Sequence, residues 1–368
     1  MNNKVIGGLL AVLGVVVVIA GIVLMTVIVP GMKQFPDDVD TTRYYGSFNE
    51  DLSPGTMNVL LNSATFEFLT DFPVTLERHF MTEETDGDLA LVLEEQKLYA
   101  VSEAGDTEGQ VLQTLVKRYA INRETMMFAD EYPDEWASME GFWPRQGLVL
   151  GWPIDSEKKD YDGWSDDYRD IVPLVFEGEI EHERSGLDVY FYTATSELKE
   201  IDPDAVVAMG LPQGLPKEQF QSLIESADVS DTMKRLLPAL LTQWEEDLVP
   251  LKYYYEYWGE YWVEPQTGAL IDTHKYEMRQ VGLGDEFMAI SPMLSEMTEE
   301  QRAASRVTVF ELTYQGTEQS VEDAKNDAQD IIDQLQLFGT TIPIVMIVVG
   351  AVLALAGAFL FMRKPAAS

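Results

Sequence analysis

VIGGLLAVLGVVVVIAGIVLMTVIV, from Val5 to Val29, is the stretch that decides the fold: 25 consecutive residues without a charge. As a helix it extends about 37 Å, enough to cross a bilayer core with some tilt. A secretory signal has an apolar core of roughly 7–15 residues that ends at a small-x-small cleavage site. This run is longer, and Pro30-Gly31-Met32-Lys33 follows it. It reads as an uncleaved anchor.

The other end repeats the pattern. Thr341 to Met362 is a second charge-free run, with Pro343 in its first turn, where the missing N–H costs no hydrogen bond. Gly7, Gly14 and Gly21 recur every seven residues on the first helix, and Gly350, Ala354 and Gly357 punctuate the second. Small residues at such spacing let two helix backbones approach closely, so the two spans are expected to pair. Lys4 precedes the first span and Arg363 and Lys364 follow the second. Basic flanks stay cytoplasmic, which predicts two inward tails and an extracytoplasmic middle. The expected layout is tail 1–4, span 5–29, domain 30–340, span 341–362 and tail 363–368.

The middle is extremely acidic. Only Lys4, Arg363 and Lys364 of the 25 basic residues lie outside it, which leaves 22 against 63 acids, a net charge of −41. Such a surface repels phosphate backbones and anionic headgroups, so nucleic-acid binding and flat docking on a membrane are excluded. Hydrophobic residues at 46% and aromatics at 11% argue for a folded core rather than a solvated tail. There is no cysteine, and the three histidines (His79, His182, His274) are isolated. Disulfides, thiolate zinc sites and Cys nucleophiles are therefore out, and no HExxH, GxSxG, P-loop or GxGxxG is present.

Local patterning predicts a mainly β (α+β) ectodomain with helical insertions. Strand-like runs between Met57 and Val101 turn at Thr85-Asp86-Gly87-Asp88, and Gly109 to Phe128 reads as a strand pair. Leu174–Ala194 is a hairpin turning at Ser185-Gly186, Leu251–Arg279 another turning at Gln266-Thr267-Gly268, and Arg306–Tyr314 a last strand. Gln34 to Asn58, rich in Pro, Asp and Gly, reads as a stalk. A helical lobe is expected at about 216–247, a short helix at Thr298–Ser305, and a helix from a capping box at Ser320-Val321-Glu322-Asp323 into the second span.

Two clusters carry candidate chemistry. In the aromatic run 253–262, Tyr253, Tyr255, Tyr257 and Tyr261 share one face of a strand, a stripe that could bind an apolar ligand or simply pack a broad sheet. Asp160, Asp162 and Asp166 place carboxylates at short spacing in a loop, as calcium sites do, although Gly163 comes too early for an EF-hand and no Glu stands at the twelfth position. Ca2+ is accordingly the only cofactor with any candidate ligands.

Several short blocks occur in a fixed order between the anchors: YAINRET from Tyr119, WPIDSEKKDY from Trp152, GLDVY from Gly186 and WVEPQTG from Trp262. With them the chain resembles the porin PorA family of two-anchor membrane proteins with a large domain of unknown function. That resemblance implies terminal transmembrane helices, a β-rich ectodomain and no catalytic motif. In architecture alone the chain is similar to scavenger-receptor class B proteins, which implies lipid binding as one role. A pore requires a barrel with an outward apolar band or a helical bundle with a polar lining, and two apolar helices provide neither. The expected function is therefore non-enzymatic: an envelope protein in a structural or ligand-binding role, with lipid or apolar-ligand binding or transfer as the alternative and an anchored hydrolase as the third.

Overall fold

The computed structural model describes residues 3–46, 55–62, 67–101, 111–227, 229 and 231–362. Its strands are β1 (Asp40–Gly46), β2 (Gly55–Leu61), β3 (Phe68–Asp86), β4 (Leu89–Ala100), β5 (Val111–Asn122), β6 (Tyr161–Ser165), β7 (Asp170–Glu181), β8 (Asp188–Glu200), β9 (Gly214–Pro216), β10 (Leu248–Glu264), β11 (Ala269–Leu283) and β12 (Val307–Gly316). They form one antiparallel sheet in the order β5-β4-β3-β1-β12-β11-β10-β8-β7-β6, with β2 between β3 and β12 beyond the end of β1, and β9 on β10. The class is mainly β with helical additions, as the residue pattern predicts.

The three hairpins turn where the sequence places them. Asp86 pairs with Leu89 across a two-residue turn in which Gly87 takes a positive φ. Glu181 pairs with Asp188, and Glu264 with Ala269. At the last turn, the buried Glu264 carboxylate accepts hydrogen bonds from the backbone N–H groups of Gln266 and Thr267 and from the Thr267 hydroxyl. Gly268 is required there: a Cβ would sit 2.0 Å from the Trp152 carbonyl oxygen.

The sheet curls until its edges meet. Ala129 N–H donates to Ala120 on β5, Phe128 N–H to Gly147, and Leu148 N–H to Asp162 on β6. Two short extended segments thus bridge β5 to β6 and bring the sheet close to a barrel. The second strand expected within Gly109–Phe128 shrinks to this bridge, because β5 finds its long partner in β4 instead; Gly109 itself lies outside the described residues.

Helices Pro203–Ala208, Lys217–Ser226, Asp231–Gln243, Asp285–Met288, Pro292–Ser295 and Glu299–Ala303 gather at one end of this barrel. Phe220, Leu223, Leu237, Phe287 and Leu294 from this lobe are buried in one continuous core with Tyr253, Val263 and Val281 of the sheet. The expected lobe is present and larger than its sequence signal, since helices after β11 join it.

The predicted stalk is a correction. Within it lie β1 and the start of β2, both paired into the sheet between β3 and β12. The capping box is another. Thr317, not Ser320, caps the helix that follows β12 by accepting from the Ser320 N–H, while the Ser320 hydroxyl accepts from Tyr44 N–H.

That helix (Glu318–Gln336) continues through a π-turn at Leu337–Thr341 into Ile342–Met362, so one 45-residue helix carries the chain from the sheet into the second apolar segment. The first apolar segment is similarly continuous from Lys4 to Met32. The two pack antiparallel along the glycine stripes. A Cβ at Gly14 would lie 2.4 Å from both Ala354 N and Gly350 O, and one at Gly7 2.6 Å from Phe361 N. Gly21 faces Pro343, which continues the seven-residue spacing on the other helix as Pro343, Gly350 and Gly357. Outside this seam the helices expose Leu9, Val12, Val352, Leu355 and Phe359.

Candidate ligand cavity

Where the N-terminal helix ends, Lys33 pairs with Asp155, and Phe35 exchanges hydrogen bonds with Arg123. The barrel end carrying the hairpin turns is therefore the end joined to the anchors, and the helical lobe caps the opposite end. The sequence blocks collect at the anchored end as packing and turn elements. Asn122 Oδ1 accepts from Glu124 N–H and Thr125 N–H; Trp152 packs on Tyr192 and Tyr261 at 5.1 and 5.8 Å between centroids. Their chemistry is structural.

The concave face of the sheet does not pack shut. It encloses a cavity of about 780 Å³, within the range of small-molecule sites. All four residues of the tyrosine stripe line it. Tyr253, Tyr255 and Tyr257 are buried, with Tyr255 and Tyr257 stacked at 5.6 Å, and the Tyr253 hydroxyl donates to the Pro212 carbonyl. The gap in the stripe has a use: a Cβ at Gly259 would meet the Tyr261 hydroxyl oxygen at 2.6 Å, so the missing side chain makes room for that ring. The stripe is thus packing and cavity wall at once.

The carboxylate cluster is not brought together. Asp160 to Asp166 is largely strand β6 rather than a loop, so its side chains diverge. Asp160 accepts from Phe176 N–H, Asp162 is exposed, and Asp166 turns inward to Lys117 at 2.7 Å and to Arg145, whose Nη2 donates at 2.9 Å. Among the described residues no group of three or more His, Asp or Glu is set to hold a metal.

Sequence reading missed the belt of charge across the middle of the cavity. Arg78 Nε donates to Glu94 at 2.8 Å; Arg279 grips Asp167 through two bonds, at 3.0 and 3.2 Å; Lys275 lies 3.3 Å from Glu277, which also accepts from the Tyr314 hydroxyl at 2.8 Å. Rings back the cations: Arg145 lies 3.8 Å over Tyr119, and Arg279 4.7 Å over Tyr255. Burial pushes the Glu277 carboxyl up, but Lys275 and Arg279 outweigh it and hold it at about 2. Glu94 and Asp166 behave alike: burial raises them, and Arg78, Lys117 and Arg145 bring them below the usual carboxylate range. Burial likewise lifts the Tyr255 and Tyr257 hydroxyls well above their ordinary values. The sequence signal for this belt was period-two charge on β11 alone, Lys275, Glu277 and Arg279; Glu94 on β4 and Lys117 on β5 stand singly beside charged neighbours of the opposite face.

The opposite face carries charge as well. Glu95, Lys97, Arg118, Glu256 and Glu260 alternate with the inward residues, so these strands present charge outward. Fold and site together define a membrane protein with a water-facing, cavity-bearing β domain on a close-packed pair of apolar helices. Within that class the chain belongs to the porin PorA family, whose model ("Porin PorA") matches residues 6–359, nearly the whole chain. No curated protein matches it. Among solved structures, the crystal structure of a putative MaoC domain protein dehydratase from Chloroflexus aurantiacus J-10-fl aligns at 10% identity over 82% of this chain and 81% of that one, with a TM-score of 0.12, too low to relate the folds.

Proposed function

We propose that this family member is a non-enzymatic, ligand-binding envelope protein whose β domain holds an elongated, largely apolar molecule. The cavity of about 780 Å³ carries this reading. Its wall toward the lobe is hydrocarbon, from Leu211, Leu215, Leu223, Leu251 and Val281. Burial of apolar ligand surface against such a wall is worth about 25 cal/mol per Å² before the costs of association. Binding is favoured over hydrolysis by the state of the cavity carboxylates. Each is held by a cation, and a general acid needs the reverse, a carboxyl raised toward neutrality.

Both tails face the cytoplasm in this proposal, and the β domain lies outside, on the strength of Lys4, Arg363 and Lys364. The test is mass spectrometry of lipid extracted from protein purified in a mild detergent. A stoichiometric apolar ligand is expected, and it should be lost from Leu223→Trp, which fills the cavity at the lobe. Bare protein, or unchanged loading in that variant, would overturn the reading.

Family membership favours a second reading, a porin-like role. Planar-bilayer conductance of the purified chain tests it. Discrete openings would support conduction, and their absence at high protein loading would leave ligand binding as the function.

A further inference from the structure

The cavity reverses the charge of the protein that contains it. The middle segment carries a net −41, yet five basic side chains and four acidic ones line the cavity, a net of +1. That surplus has an address. Arg279 is matched by Asp167 and Lys275 by Glu277, whereas Glu94 and Asp166 between them answer Arg78, Lys117 and Arg145, with Lys117 and Arg145 both bonded to Asp166. A cluster with two acids for three cations retains a full positive charge, which is costly to leave unpaired where it is shielded from water. Four of the five cations are less covered than the acids, with side chains 18–24% accessible against 2–17%; Arg145 is the exception at 4%, and Lys117 and Asp166 are covered alike. A further donor lines the cavity toward the anchored end, since the indole N–H of Trp152 is buried with no acceptor among the described residues. On the lobe side the wall is hydrocarbon.

Resting on the ligand-binding reading above, we propose that the cavity takes an anionic amphiphile, its carboxylate or phosphate head at Lys117 and Arg145 and its chain directed toward the helical lobe. A neutral chain of the same length would forgo the charge. A cationic one would meet Lys117 and Arg145 directly.

The experiment uses the full chain in maltoside micelles and follows displacement of a fluorescent fatty acid. The competitors are laurate, dodecyl phosphate, dodecanol, dodecyltrimethylammonium and inorganic phosphate. Laurate or dodecyl phosphate should displace the probe at least about tenfold better than dodecanol, with the ammonium compound weakest and inorganic phosphate without effect. Whichever of the two anions is stronger identifies the head. Lys117→Gln leaves Asp166 paired one to one with Arg145, so the fold should survive, as circular dichroism would report; it should weaken the anionic competitor about tenfold and leave dodecanol unchanged. Equal binding of dodecanol and the anions overturns the proposal while leaving a ligand-binding cavity. Displacement by inorganic phosphate alone makes the site one for a free anion and overturns it also. Failure of every compound to bind removes the ligand-binding reading itself.

Discussion

The helix pair and the barrel interior solve opposite packing problems. Between the helices the contact is made by absent side chains: Gly7, Gly14, Gly350 and Gly357 bring backbone against backbone, and no charge enters the seam. In the barrel the side chains are among the largest available, and they still leave about 780 Å³ crossed by ion pairs. The solvent explains the difference. Lipid offers no hydrophobic drive to bring two apolar helices together, so van der Waals fit must do it, and that demands small residues in register. Water drives the collapse of the barrel wall, which can then hold open a polar interior provided each buried acid has a cation beside it. The seam tolerates no added atom, and the belt tolerates no acid left without its cation.

The largest expected effect lies in the belt. Arg279→Met leaves Asp167 buried without its bidentate partner and should cost about 3–5 kcal/mol in denaturant unfolding, whereas adding Asp167→Leu should recover most of it. Acid titration sharpens the same point. Glu277 sits at about 2 in the folded protein against an ordinary 4.5, so the unfolded chain binds the proton more readily between those values. Its stabilisation is complete above about pH 4.5 and fades as pH falls toward 2, about 3 kcal/mol in all. Glu277→Gln should flatten that acid limb; an unchanged limb would show that other groups govern it.

The seam is next, and its signature is one of sign. Glycine to alanine inside a helix normally stabilises by about 0.5–1 kcal/mol. Gly8→Ala should behave so, because its Cβ would meet only Phe361 Cδ2 at 3.9 Å. Gly14→Ala should instead destabilise by about 1–3 kcal/mol, since its Cβ would fall 2.4 Å from Ala354 N. Thermal unfolding in micelles would separate the two, and a gain at both positions would mean that the helices do not pair in membrane-like surroundings. The smallest effect is expected where the regions join. Arg43 pairs with an exposed Asp327 on the long helix, and Arg43→Ala should cost under about 1 kcal/mol, less in high salt.

Features written in local chemistry were legible. The turns at Gly87, Gly186 and Gly268 need positive φ, and each hairpin sits where its glycine stands. The tyrosine stripe was legible as one face because period two is a property of any strand. Features set by distant partners were not. β1 and the start of β2 lie in a stretch that reads as a stalk and are drawn into the sheet through pairing with β12, over 240 residues away. Ser320 reads as a helix cap, but Tyr44 N–H occupies its hydroxyl and the cap passes to Thr317. Asp166 reads as one of three calcium ligands until β6 turns it toward Lys117 and Arg145.

Val5 to Val29 alone establishes a segment long and apolar enough to span a bilayer, because hydropathy and length are additive along the chain. Composition alone establishes a folded, strongly acidic domain without disulfides or thiol chemistry. The partner of the Gly7-Gly14-Gly21 stripe, the curling of twelve strands around a cavity and the gathering of surplus positive charge inside an acidic protein belong to the tertiary structure. Each depends on which residues meet across hundreds of positions, and the charge of a chain says nothing of how that charge is divided between its outside and its inside.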